Sequence, residues 1–154
     1  MGLANLVMAL GLGLAPEQGL AATRTERMIE SAKFFRYNAV HEFREKKYEP
    51  AATDIMEAFR LFPKTGEEPD WKIDALNILM KYADLLKEQK RPEDRVSVLM
   101  TLCSYDLSEI PNGWAPAETL RKEHPDPKKR QEYGSLADAL RKASKTNKPS
   151  STSY

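Results

Sequence analysis

FRYNAVHEFREKKYEPAATDIMEAFRLFP, residues 35–63, reads as two amphipathic helices folded back on each other. Phe35, Ala39 and Phe43 recur every four residues. With Met28 and Ala32 upstream they draw one apolar face along a helix from Thr23 or Thr25 to about Lys47. Arg27, Glu30, Lys33, Glu45 and Lys46 fall on its solvated side. Pro50 belongs in the first turn of a second helix, where its missing N–H costs nothing. Ala51, Ile55, Ala58 and Phe62 form that helix's stripe, and Pro63 ends it before the polar turn Lys64–Pro69. The short link between the two helices makes them antiparallel neighbours.

The pattern continues downstream. Asp70 is expected to cap a third helix reaching about Lys90, with Ile73, Leu76, Met80, Ala83 and Leu86 buried, Leu79 and Tyr82 widening the face, and Trp71 packed on a neighbour. Pro92 opens a fourth helix with Val96, Leu99, Met100 and Cys103 inward. Ile110–Gly113 breaks it, and Ala115–Glu123 forms a short helix. Asp126-Pro127 starts a last one, with Tyr133, Leu136, Ala137, Leu140 and Ala143 inward. No run alternates with period two over a strand's length, so the expected class is all-α.

Composition narrows the function. The 154 residues carry 24 Lys and Arg against 23 Asp and Glu, a net charge of +1 that gives no global attraction for nucleic acid. One cysteine, Cys103, rules out an internal disulfide and a thiolate metal cage. His41 and His124 lie far apart with no ligand spacing around them. Glu17, His41, Glu42 and Asp54 are the acid–base candidates, and none has helical spacing to a second group that would make a catalytic pair or a metal site. No phosphate loop or nucleophile elbow is present. The expectation is a non-catalytic protein without cofactor or metal.

The two hairpins correspond at an offset of 44 residues. Ala39 maps onto Ala83, Ile55 onto Leu99, Ala58 onto Leu102, and Glu45-Lys46-Lys47-Tyr48 onto Gln89-Lys90-Arg91-Pro92. A repeated helical hairpin is the signature of an α-solenoid. Phe35, Ala39, Ala51, Ile55, Ala58 and Pro63, with the turn Lys47-Tyr48-Glu49-Pro50-Ala51, resemble the tetratricopeptide repeat. Asn38 and Glu42 depart from its usual Leu and Tyr. The second unit keeps Leu79, Ala83 and Leu99 but places Arg95 and Leu102 at the later small positions. The resemblance covers residues 32–107.

The resemblance implies antiparallel hairpins stacked as a short TPR-like α-solenoid, with a concave, protein-binding face made by the first and third helices. Lys33, Arg36, Tyr37, Val40 and Arg44, then Asn77, Lys81 and Asp84, are the residues expected there. Val40 and Asp84 fall where a clamp for a C-terminal carboxylate would want amides, so that clamp is not expected. Trp114, between prolines, either caps the stack or anchors a partner. From Arg121 to Lys148 nine Lys or Arg face four acids, a basic end with only Tyr133 as aromatic interleaving.

Four segments follow: an apolar stretch 1–22, hairpins 23–107, a loop and basic helix 108–144, and a polar tail 145–154. Met1–Leu14 is too short for a confident membrane span. It reads as a helix held by a partner or bilayer, as a targeting peptide with Gly19-Leu20-Ala21-Ala22 near its cleavage point, or as a core helix. The leading expectation is an accessory scaffold subunit of a larger, membrane-associated assembly, with other protein subunits as partners and neither nucleic acid nor a small-molecule substrate. The alternatives are a secretion-type chaperone holding an extended client segment and an exported periplasmic or lumenal binding module.

Overall fold

The computed structural model describes residues 16–61 and 69–146, with side chains from Thr23 to Leu61 and from Pro69 to Ser144. Met1–Leu14, the small residues 19–22, Phe62, Pro63, the body of the Lys64–Pro69 turn and the polar tail therefore lie wholly or in their side chains outside the described residues. Among these the chain is all-helical, without strands. The helices are α1 (Pro16–Arg44), α2 (Tyr48–Leu61), α3 (Pro69–Glu88), α4 (Pro92–Cys103), α5 (Ala115–Glu123) and α6 (Pro127–Thr146). Each helix packs on the next in sequence, and α1 also touches α3.

Alanine sets the spacing of the first pair. Ala32 and Ala39 on α1, and Ala51, Ala52 and Ala58 on α2, have no solvent exposure, with Ile55 filling the seam between them. Ala75 and Ala83 do the same on α3, whose buried face is widened by Ile78, Leu79, Tyr82 and Leu86. Phe59 meets Trp71 edge-on at 6.5 Å and stacks on Tyr105 at 4.2 Å, closing the core between α2, α3 and the end of α4.

The turns after α1 and α3 share one hydrogen-bond pattern 44 residues apart. Lys46 N donates to Phe43 O (3.0 Å) and Lys47 N to Glu42 O (2.9 Å); Lys90 N donates to Lys87 O (3.0 Å) and Arg91 N to Leu86 O (2.9 Å). This is the Schellman closure of a helix. Both αL positions, normally glycine, hold lysine, at φ 63° for Lys46 and 58° for Lys90. The next helix restarts identically, with Ala51 N donating to Lys47 O and Arg95 N to Arg91 O, each at 3.1 Å.

Several boundaries and faces differ from expectation. The first helix begins at Pro16, not at Thr23 or Thr25. Proline suits a first helical turn, and only Gly19 weakens the stretch that follows, by about 1 kcal/mol. It stops at Arg44 because Lys46 turns left-handed. Asp70 sits inside α3, since Pro69 takes its first position. Met28, expected in the core, is exposed: α2 has 14 residues against 29 in α1 and cannot cover the first half of it. Ile73 is exposed as well. α3 is flanked by α2 and α4, so its buried arc rotates toward Ala75, Ile78 and Tyr82. On α4 the same rotation buries Arg95, Val98, Leu99 and Leu102 and leaves Val96, Met100 and Cys103 half-buried.

Two stability changes follow. Lys46→Gly and Lys90→Gly relieve the left-handed strain and raise unfolding free energy by about 0.5–1 kcal/mol each in urea titrations. At Gly113 a Cβ would lie 2.2 Å from Leu107 O and 2.8 Å from Leu107 Cβ, so Gly113→Ala lowers stability by about 2 kcal/mol or more.

Candidate functional site

The side chains expected on the binding face fall into two neighbouring open cavities. Lys33, Arg36, Tyr37, Val40 and Arg44 line the first, about 600 Å3, together with His41 and Trp71. Asn77, Lys81 and Asp84 line the second, about 410 Å3, with Phe43, Leu76 and Met80 as apolar floor and Pro111, Asn112 and Ala115 as rim.

Helical geometry explains the first set. Residues 33, 36, 37, 40, 41 and 44 step by three, one, three, one and three, so they share one face of α1 about 16 Å long. That face is turned away from α2, toward which Ala32 and Ala39 point. Arg36 joins the face to α3: its Nε donates to Asp74 Oδ2 at 2.7 Å, and its guanidinium lies 4.9 Å from the Trp71 ring centroid. Tyr37 and His41 stack with rings 4° from parallel and centroids 6.5 Å apart, and His41 Nε2 is 3.1 Å from Glu45 Oε2. Lys33 has an exposed Glu30 at 3.9 Å, a pairing of little energy. In the second cavity Lys81 Nζ sits 5.6 Å over the Tyr48 ring, and Asp84 Oδ1 lies 3.6 Å from Arg95 Nη1.

Trp114 is half-buried and lines neither cavity. Arg141 of α6 covers its face at 4.2 Å and reaches Glu118 of α5 at 3.2 Å, so the ring clasps these two helices together. Cys103 is half-buried, and desolvation pushes its thiol up to about 12, which keeps it protonated and unreactive. Among the described residues no group of three or more His, Cys, Asp or Glu is gathered to hold a metal ion.

One arrangement escapes sequence spacing. Glu42 on α1 and Asp54 on α2 face each other across the hairpin. Glu42 Oε1 is buried with no donor, and two carboxyls can hydrogen-bond only when one is protonated. Burial first, then Asp54, raise the Glu42 carboxyl from 4.5 to about 7; Lys47 pulls it down and Glu45 pushes it up. The offset of 44 places Leu86 and Val98 at these positions in the second hairpin, both buried. The acid pair thus occupies core positions, and only that internal comparison could have revealed it in the sequence.

No family model matches this chain, and no curated protein or solved structure matches it either.

The sign of the pH effect follows from the raised carboxyl. Its contribution to stability is complete below about 4.5 and is lost as pH rises through about 7. Solvent at the outer oxygen screens the pair, so the loss is on the order of 1–2 kcal/mol. Chemical denaturation at mildly acidic and mildly alkaline pH is expected to show wild type losing this much relative to Glu42→Gln, which gains on it in alkali.

Proposed function

We propose that this chain is a non-catalytic protein-interaction scaffold, a short TPR-like stack of hairpins that serves as an accessory subunit of a larger assembly and binds another subunit on its α1–α3 face. The observation that carries the reading is where apolar surface is left open. The large hydrophobic side chains that are exposed among the described residues are Met28, Phe34, Tyr37 and Ile73, and all stand on α1 and α3. Phe34 and Tyr37 are 60% and 71% exposed, values that cost hydration free energy unless a partner covers them. Aromatic residues beside arginine are the composition of interface hot spots.

The stacking itself is supported by the repeated turns at Lys46 and Lys90, by the serial packing of helices, and by α5 and α6, which add a third antiparallel pair. The cross-ties run between pairs: Arg36 to Asp74, the Tyr82 hydroxyl to Glu49 Oε1 (3.1 Å), and Arg95 to Glu123 (2.7 and 3.1 Å). Such an array presents a surface to another protein. No described helix is long and apolar enough to cross a membrane, so the membrane-associated part of the reading rests on the apolar composition of Met1–Leu14 alone.

Site-specific photo-crosslinking in the native source tests this. A crosslinker replacing Phe34 or Tyr37 is expected to trap a discrete partner band, and one replacing Lys128 on α6 is not. Migration of the native chain at monomer size, with no crosslink from α1, refutes the scaffold reading.

A further inference from the structure

The first cavity is lined by four basic side chains, Lys33, Arg36, His41 and Arg44, and by no acid. We propose that it takes an internal acidic segment of a partner protein, laid along α1 with an apolar side chain set against Tyr37 and Val40. The proposal rests on the α1–α3 face being a protein-binding face and adds the chemistry of what binds there.

Charge complementarity carries it. The whole chain is nearly neutral, at +1, so this basic lining is a local feature. Arg36 is already committed to Asp74 and holds the groove wall. Arg44 has no hydrogen-bond or ion-pair partner among the described residues, and Lys33 has only the solvent-exposed Glu30 at 3.9 Å. Two cations are thus left to a ligand, at the two ends of an apolar strip. A cleft of one sign with apolar walls concentrates field and favours a ligand of the other sign.

Spacing selects the ligand's form. Lys33 and Arg44 are separated by about 16 Å of helix, the reach of about five residues of extended peptide. Side-chain carboxylates distributed along a segment match that spread, and a single terminal carboxylate does not. Nucleic acid fits worse, because unpaired bases need open aromatic faces to stack on. The Trp71 ring is buried beneath Arg36, which leaves Tyr37 as a single open ring in the cavity lining, too little for a run of bases.

Fluorescence anisotropy on the full chain tests this. The probe is a C-terminally amidated peptide of about a dozen residues, long enough to overrun the groove, with Asp and Glu on both sides of a Leu-Phe pair. Binding at low salt is expected, weakening about tenfold or more when salt shortens the screening length. Replacing the acids by their amides is expected to weaken it at least about tenfold, as is Arg44→Glu or Lys33→Glu. Lys128→Glu leaves it unchanged. Tyr37→Ala weakens binding but keeps the salt dependence. Arg44 has no partner among the described residues, so its variant is expected to fold, and circular dichroism checks that it has. Peptide binding indifferent to Arg44→Glu overturns the proposal, as does an RNA oligomer of equal charge that binds as tightly and is lost with the same variant. A partner crosslinked at Tyr37 without groove-dependent peptide binding removes the acidic chemistry and leaves the scaffold reading standing; absence of both removes both.

Discussion

Ala32 and Ala39 on α1 meet Ala51, Ala52 and Ala58 on α2 with no solvent reaching any of them. Small side chains on both sides let two helix backbones approach closely. Everything else adjusts to that approach. Bulky residues are displaced to the margins of the seam, where Phe43 meets Tyr48 edge-on and Phe59 meets Trp71. A seam of alanines buries little apolar area per residue, so part of the burden of joining one helix pair to the next falls on longer polar side chains. Arg36, Glu49 and Arg95 carry those connections, each reaching across a pair boundary.

The correspondence between the first two pairs makes their differences informative. Arg95 stands where the first pair has Ala51. Instead of filling the seam it donates to Ala83 O at 2.8 Å and runs on to Glu123, tying α3, α4 and α5 together. Glu42 and Asp54 stand where the second pair has Leu86 and Val98, and there the exchange runs from apolar to acidic. The framework tolerates both substitutions because backbone closure is set by the Schellman turns and the alanines, not by these positions. Arginine at one pair's equivalent of alanine ties its pair to the following helix; carboxyls at the other pair's equivalent of a hydrophobic contact make its seam sensitive to protons.

Much of the fold was legible because its signals are local. The steps of three and four around Ala39, Ala51 and Ala83, and the prolines at 50, 92 and 127, located the helices without knowledge of tertiary contacts. The positions that differ from their periodicity depend on neighbours. Met28 has the right periodicity for a core position, but α2 is too short to reach it. Ile73 lost its place because α3 is gripped from two sides, which rotates the buried arc. The candidate face was legible residue by residue, since one helical wheel puts Lys33, Arg36, Tyr37, Val40 and Arg44 together. That Trp71 and His41 complete the same cavity depended on how α1 crosses α3, and the Glu42–Asp54 contact on the register of α1 against α2. Neither is written in the spacing of a single helix.

The serial packing of the six described helices has a kinetic side. Nearly every helix finds its main partner immediately before or after it in the chain, so few long loops must close before native contacts repay the entropy lost. Folding of such a chain falls in the submillisecond to millisecond range of low-contact-order helical proteins. Unfolding is likewise local, with exposed helix ends opening before the buried core. Residues 24–28 of α1 are exposed throughout, so that stretch is the first to lose its helix and the last to regain it.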